Sequence, residues 1–111
     1  MHVRSAEAAT RNAGDVEIKN LITRAECSNV SVAEAELDGS HGPSRNHLSD
    51  RIYYLISGRA VVTIDGDTHE IAPGDVVLIP KGAVHAVSGT AHYLVINSPA
   101  FDPGREEDIP T

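Results

Sequence analysis

Short runs of alternating apolar and polar residues make up most of this 111-residue chain. In the run 29–37, Ala35 and Leu37 fall on one face of an extended strand, whereas Glu34 and Glu36 fall on the other. This period of two is typical of a β-strand that buries one face and exposes the other. Apolar residues do not recur at helical spacing over any useful length, so the pattern predicts an all-β protein.

Turn-forming residues divide the chain into eight or nine such strands, which is typical of a sandwich or barrel. The corner at 65–67 predicts a tight hairpin, and glycines predict turns at 38–40, 57–59 and 89–91. The run 76–79 is apolar at every position and predicts a strand buried on both faces. Strands are predicted at residues 16–22, 29–37, 51–57, 60–65, 68–71, 76–79, 84–88 and 92–97.

Two histidine-containing segments lie within this pattern. The first, residues 39–58, begins and ends with glycine and contains Arg45, His47 and Arg51. The second, residues 74–89, also begins and ends with glycine and contains Pro80, Gly82 and His85. Together they resemble the two motifs of the cupin family, G-x5-H-x-H-x3,4-E-x6-G and G-x5-P-x-G-x2-H-x3-N. The resemblance implies a single-domain jelly-roll barrel, also described as a double-stranded β-helix.

The chain departs from the family motifs at positions that bind metal in the family. Arg45 stands where the first motif has a histidine, and Arg51 stands where it has the glutamate. His47 and His85 match the remaining motif histidines, while Gly89 replaces the final asparagine. The resemblance implies that positions 45, 47, 51 and 85 face the mouth of the barrel.

Two arginines in one pocket favour an anionic ligand. A guanidinium offers only donors and cannot bind a metal, but its fork matches a carboxylate or phosphate. Arg45 and Arg51 are therefore predicted to bind a small anionic molecule. His47 and His85 can transfer protons near neutral pH, and Tyr53, on the same strand face as Arg51, is a second candidate. We expect a non-redox enzyme without a metal: an isomerase, epimerase, cyclase or lyase.

Three alternatives remain open. The protein could be a binding or sensor module that holds a small molecule without converting it. It could be a metal-dependent cupin, an oxygenase or isomerase, in which His41, His47 and His85 bind one divalent ion such as Zn, Fe, Mn or Ni. Finally, Asp50 could form a salt bridge with one of the arginines and close a pocket that binds no ligand.

Composition and charge limit the partners and the compartment. A net charge of −7 argues against a nucleic acid or an anionic membrane surface, because both would be repelled. No apolar run approaches the roughly 20 residues of a transmembrane helix, and the first residues lack the apolar segment of a signal peptide. The single cysteine, Cys27, cannot form an internal disulfide. We therefore expect a cytoplasmic protein.

A chain of this length is expected to form one domain. Residues 1–15 are small, polar and charged, and they predict a flexible arm. Residues 16–101 predict the barrel. Residues 102–111 predict an acidic tail, which Phe101 attaches to the barrel.

The strand at 51–57 is also apolar on the face opposite Arg51. Ile52, Tyr54 and Ile56 lie on that outer face, and an exposed patch of this kind needs a cover. Cupins are commonly dimers. The resemblance and this two-sided strand together predict a homodimer.

Overall fold

The computed structural model describes residues 1–110 of the protein. These residues form eight β-strands and two single-turn 3-10 helices, which confirms the all-β prediction. The strands are β1 (Thr10–Ala13), β2 (Val16–Ile22), β3 (Ser31–Asn46), β4 (Asp50–Ile64), β5 (Asp67–Ile71), β6 (Val76–Ile79), β7 (His85–Ser98) and β8 (Glu106–Asp108). The 3-10 helices are Ser5–Glu7 and Pro103–Arg105. Neither of these helices is long or apolar enough to cross a membrane.

All eight strands belong to one antiparallel sheet. Its main order is β1-β2-β3-β7-β4-β5, while β6 pairs with β4 and β8 pairs with β3. The long strands β3, β7 and β4 lie side by side and bend around a single core. Because side chains alternate along each strand, every second residue points into this core. Its buried members include Leu37, Leu55, Val62, Ile79, Val87 and Tyr93.

Three glycines that predict turns lie inside the long strands instead. Gly39, Gly58 and Gly89 have φ angles of 130°, 87° and 138°, and strand pairing continues on both sides of each. A Cβ atom on Gly58 would overlap the carbonyl oxygen of Thr90 on the neighbouring strand. The turns predicted at these glycines are therefore wrong, because a residue without a side chain lets a paired strand bend without ending it.

The hairpin at 65–67 is confirmed, whereas the predicted burial of the strand 76–79 is wrong. Asp65 and Gly66 both have positive φ and connect β4 to β5. In β6, Ile79 is buried in the core, but Val76 and Leu78 are 62% and 57% exposed. The outer face of β6 is therefore uncovered by the described part of the chain.

Both ends of the chain contribute strands to the sheet. Part of the predicted arm forms β1, which pairs with β2. Part of the predicted tail forms β8, which pairs with the last residues of β3, Ser44–Asn46. The final residue of the predicted tail, at position 111, lies outside the described residues. The pairing of β8 brings the acidic end of the chain to one opening of the barrel.

Candidate functional site

The site is built around Arg51, the second residue of β4. Its side chain is only 6% exposed and points into the barrel. An unpaired charge at such a position would be strongly unfavourable, so the guanidinium needs acceptors. It uses four of its five donors: Nε donates to Asn97 Oδ1 at 3.0 Å, Nη1 to His85 Nε2 at 3.0 Å, and both Nη atoms to Glu106.

Glu106 is the counter-charge, and it comes from β8. Its carboxylate accepts from Arg51 Nη1 at 3.1 Å and from Nη2 at 3.0 Å, which is the bidentate geometry of a strong pair. Asn46 Nδ2 donates to the same carboxylate at 2.9 Å. Burial alone would raise the pKa of Glu106, but the hydrogen bonds and charge of Arg51 outweigh it and hold the pKa below its usual value. Glu106 is therefore ionised at neutral pH.

The partner considered from the sequence, Asp50, does not pair with either arginine. Its carboxylate accepts from the backbone N–H of Lys81 at 2.9 Å instead. The expected kind of interaction is thus present, an ion pair that fills the barrel opening, but with a residue 55 positions away from Arg51.

The imidazole of His85 is neutral and held in one tautomer. Because Arg51 can only donate, His85 Nε2 must accept, which leaves the proton on Nδ1 facing the carbonyl oxygen of Ala83 at 3.3 Å. Burial and the neighbouring charge of Arg51 both lower the pKa of His85. The site therefore contains an unprotonated histidine next to a fixed cation.

Aromatic side chains enclose this polar cluster. The ring of Tyr53 lies 6.4 Å from that of His85 and 4.9 Å from that of Tyr93, centroid to centroid. Burial raises the pKa of Tyr53, so its hydroxyl stays protonated at neutral pH. Phe101 lies on the other side, with its ring centroid 5.7 Å from Arg51 Cζ. This contact agrees with the prediction that Phe101 attaches the tail to the barrel.

The side-chain NH2 group of Asn97 has no partner in the buried cluster. Its Oδ1 must be the atom that accepts from Arg51 Nε, which fixes the orientation of the amide. Its Nδ2 is buried and has no hydrogen-bond partner among residues 1–110. A buried donor of this kind is unusual, and it marks a position where a ligand oxygen would be favourable.

The structure does not bring Arg45 and His47 into the site, so their predicted placement there is wrong. His47 is exposed and pairs with Glu107 at 2.9 Å. Ser44 and Asn46 are the buried residues at this end of β3. The strand register shifts between His41 and Ser44, which exchanges the inner and outer faces relative to the expected alternation.

The family motif contains a signal for this register. It allows three or four residues before the glutamate position, and a gap of four before Arg51 assigns the two histidine positions to Ser44 and Asn46. Placing the histidine positions at Arg45 and His47, as predicted above, corresponds to a gap of three residues before Arg51. Asn97 and Glu106 both lie beyond the motif segments 39–58 and 74–89, so the motifs give no indication of either residue.

The donor set of this site does not fit a metal ion. Of the four residues at the corrected motif positions, only His85 has a nitrogen ligand, and Arg51 places a fixed positive charge beside it. His41, His47 and His85 do not form a cluster, because His47 is on the outside. Among residues 1–110, no three His, Cys, Asp or Glu side chains are grouped so that they could hold an ion.

Two surface grooves of the described chain lie away from this cluster. One is lined by residues around Arg24 and Pro99, and the other by residues of β5 and β6. Neither includes Arg51, His85 or Tyr53. With Glu106 in place, the polar cluster is therefore not at the base of either groove.

Comparison with known proteins agrees with the fold. The profile of the cupin domain family matches residues 33–97. An uncharacterised protein of Streptomyces coelicolor is 36% identical over 75 residues, which are 64% of this chain and 71% of that protein. An uncharacterised protein of Aquifex aeolicus is 28% identical over 99 residues, which are 86% and 82% of the two chains.

Solved structures share the whole architecture at low sequence identity. Pac13 of Streptomyces, described as a unique nucleoside dehydratase, superposes with a TM-score of 0.90 and 16% identity, over 98% of this chain and 90% of its own. A variant of oxalate decarboxylase from Bacillus subtilis gives a TM-score of 0.82 and 20% identity, over 95% of this chain and 31% of its own. At such identities the likeness establishes the fold alone, and it confirms the predicted jelly-roll barrel.

Removal of Glu106 should destabilise the protein strongly. Glu106→Ala leaves the Arg51 guanidinium buried without a counter-charge, and we expect the free energy of unfolding to fall by about 3 kcal/mol in urea titrations. The double variant Arg51→Met/Glu106→Ala should lose less than the sum of the two single variants. Glu107→Ala is the matched control, since its pair with His47 is exposed and should contribute at most about 1 kcal/mol. Equal losses for Glu106→Ala and Glu107→Ala would contradict the role of the buried pair.

Stability should fall on acidification because of His85. Its pKa is lower in the folded protein than in the unfolded chain, so the unfolded state binds more protons as the pH falls below the ordinary histidine value of about 6.5. The stability that neutral His85 contributes is present above that pH and is lost as the pH falls through the folded-state pKa. Thermal unfolding midpoints between pH 7.5 and 5 should therefore decrease more steeply for the native protein than for His85→Gln, whose amide accepts from Arg51 without titrating. Parallel curves would refute this assignment.

Proposed function

The chain belongs to the cupin family, and on that basis we propose that it binds a small anionic metabolite inside the barrel and converts it without redox chemistry. The reaction class is that of an isomerase, epimerase, cyclase or lyase. One observation carries the proposal: a buried guanidinium holds a carboxylate through two hydrogen bonds beside a neutral imidazole. Those are the parts that proton transfer on a small acid needs.

Arg51 is the anion-binding residue in this proposal. The position of Glu106 supports it, because a carboxylate already fits the guanidinium fork at 3.0 and 3.1 Å. A phosphate presents oxygens at similar spacing and is the second ligand class that the fork can hold. Arg45 is half-buried and alternates along β3 with the buried residues Ser44 and Asn46, so we give it no part in the proposed site.

His85 and Tyr53 are the proposed proton carriers. A histidine with a lowered pKa is unprotonated at neutral pH and can act as a base. Tyr53 has a raised pKa and keeps its proton, so it can act as an acid or a hydrogen-bond donor. The two rings meet edge to face within the same enclosed cluster, which places both groups near Arg51. Once an anion binds Arg51, its neighbouring C–H or hydroxyl group would lie between a base and an acid.

Other cupin-fold proteins support this class of reaction by their chemistry. The fold is shared with a nucleoside dehydratase and with oxalate decarboxylase, so related barrels are used for dehydration and for decarboxylation. Oxalate, the substrate named for the second of these enzymes, is itself a small carboxylate. Neither relative identifies the substrate of this chain.

A binding module without turnover is the second candidate. The hydrogen bond between Arg51 and His85 favours it, because the lone pair that would act as a base is occupied in this structure. Ligand binding alone does not separate the two candidates, whereas analysis of products does.

The proposed function should be tested first with a ligand screen. Thermal shifts are measured with small carboxylates, phosphates and sugar acids, and each stabilising compound is then analysed for conversion by mass spectrometry. We expect Arg51→Lys to weaken binding of a hit at least tenfold, because lysine keeps the charge but loses the bidentate fork. His85→Gln should retain binding and lose conversion.

Arg45→Lys is the matched control for the arginine substitution. It changes the same side chain in the same way at a position outside the proposed site, and binding should stay unchanged. If Arg45→Lys weakened binding and Arg51→Lys did not, the assignment of the site would be wrong. Stabilisation without any product would favour the binding module.

We also propose that two copies of the chain associate through the outer face of β4 and β6. Tyr54 and Val76 are paired across these strands, and they are 40% and 62% exposed. Leu78 and Ile56 extend the same apolar face and are exposed as well. An exposed apolar patch of neighbouring residues is typical of an interface. A second copy would cover it by presenting the same patch, as in the common two-fold dimer.

A charge in this patch should separate the copies. Leu78→Asp should convert a dimer into a monomer in light scattering after gel filtration, because a buried carboxylate without a partner opposes association. Leu78→Met is the control, since it keeps an apolar side chain of similar size and should remain dimeric. A native protein that is already monomeric at micromolar concentration would rule out this interface.

A further inference from the structure

We propose that the C-terminal segment 102–108 is a strap that occupies the ligand site of its own barrel. The carboxylate of Glu106 lies in the seat, the position where the ligand anion would bind, and ligand binding requires the release of β8 from β3. This inference rests on the proposed function of Arg51 as the anion-binding residue. It adds that the protein is closed in its free form and that an external acid competes with a residue of the chain itself.

The seat is fitted to a carboxylate by three residues from two strands. Arg51 on β4 donates twice, Asn46 on β3 donates at 2.9 Å, and the hydroxyl of Ser44 lies 3.4 Å from the carboxylate. All three of these residues are buried, whereas Glu106 is only partly buried. The barrel therefore supplies the donors and the strap supplies only the anion.

Outside this seat the strap is held at residues that are exposed or only partly buried. Strand β8 has three residues, paired with the end of β3 at Ser44–Asn46. Two of the three residues of β8 are exposed. The further bonds involve exposed or partly exposed residues. His47 N–H donates to Arg105 O, Arg105 Nη2 donates to His47 O, and His47 pairs with Glu107. In addition, Ile109 N–H donates to Pro43 O, and Arg24 pairs with Asp102. Segments with few buried apolar contacts open at low free energy.

An incoming acid can replace the hydrogen bonds that the Glu106 carboxylate makes. Its own carboxylate would accept from Arg51, Asn46 and Ser44 as the glutamate does, so the exchange leaves no buried charge unpaired. A ligand with a further oxygen could also accept from Asn97 Nδ2, which is buried and has no partner among residues 1–110. The favoured ligand class is thus a carboxylate that carries a second oxygen acceptor, such as a hydroxy or keto acid.

The closed strap has a quantitative consequence for affinity. When only a fraction of the molecules is open, the apparent dissociation constant rises by the inverse of that fraction. A minor open state of at most about 10% would weaken the binding of an external carboxylate at least tenfold. Removal of the Glu106 carboxylate should therefore tighten the binding of an external carboxylate by the same factor.

Acetate is the probe for this competition, because it reproduces the end of the Glu106 side chain. Its dissociation constant is measured by NMR titration of the full-length protein, with sodium chloride held at a matched concentration. Glu106→Gln should bind acetate at least tenfold more tightly than the native protein. Glu107→Gln removes the neighbouring charge of the same strand, which faces His47, and should bind as the native protein does.

Hydrogen exchange of the native protein provides an independent measurement, should Glu106→Gln fold poorly. Acetate should increase exchange of the Ile109 amide, which bonds to β3, and leave the amides of β4 and β7 protected. Equal acetate affinities of native protein and Glu106→Gln, or unchanged exchange of Ile109 at saturating acetate, would overturn the strap and leave anion binding at Arg51 intact. The absence of acetate binding in all three proteins would overturn both the proposed function and the strap.

Discussion

A guanidinium buried in a β-barrel needs a counter-charge, and in this protein the counter-charge comes from the far end of the chain. The bidentate pair of Arg51 with Glu106 joins β4 to β8, and the remaining donors of Arg51 extend the network to Asn97 and His85 on β7. Breaking such a pair leaves an uncompensated buried ion. The tautomer of His85, the orientation of the Asn97 amide and the placement of the Glu106 side chain are all set by hydrogen bonds with this one guanidinium.

The charges of this site are inverted relative to the motif that the chain resembles. The motif has a carboxylate at the position of Arg51, where it helps to hold a cation. Here that position carries the cation itself, and a carboxylate binds to it. A fixed guanidinium cannot be displaced, but it can exchange one anion for another. Where the motif has a carboxylate that holds a cation, this chain therefore has a cation that holds a carboxylate, and the barrel and His85 are retained.

The alternation of side chains was sufficient to predict the all-β class and most strand positions, because burial of one face determines it locally. It failed where backbone geometry changes the period. The register shift before Ser44 reversed the faces of Arg45 and His47, and positive φ angles at Gly58 and Gly89 allowed strands to continue through predicted turns. Glu106 could not be assigned to Arg51 in advance, since the sequence offers many acidic residues and long-range pairing selects one.

Strand β4 connects the inside of the barrel with its apolar outer face. Arg51 and Tyr53 point inward to the polar cluster, while Ile52 and Tyr54 alternate with them and point outward. Any partner that packs on the outer face therefore contacts the strand that carries Arg51. Glu106 belongs to β8, whose other two residues are exposed, and Arg51 belongs to β4, whose outer face is apolar and partly exposed. The proposed dimer interface and the proposed anion site therefore lie on opposite faces of the same strand.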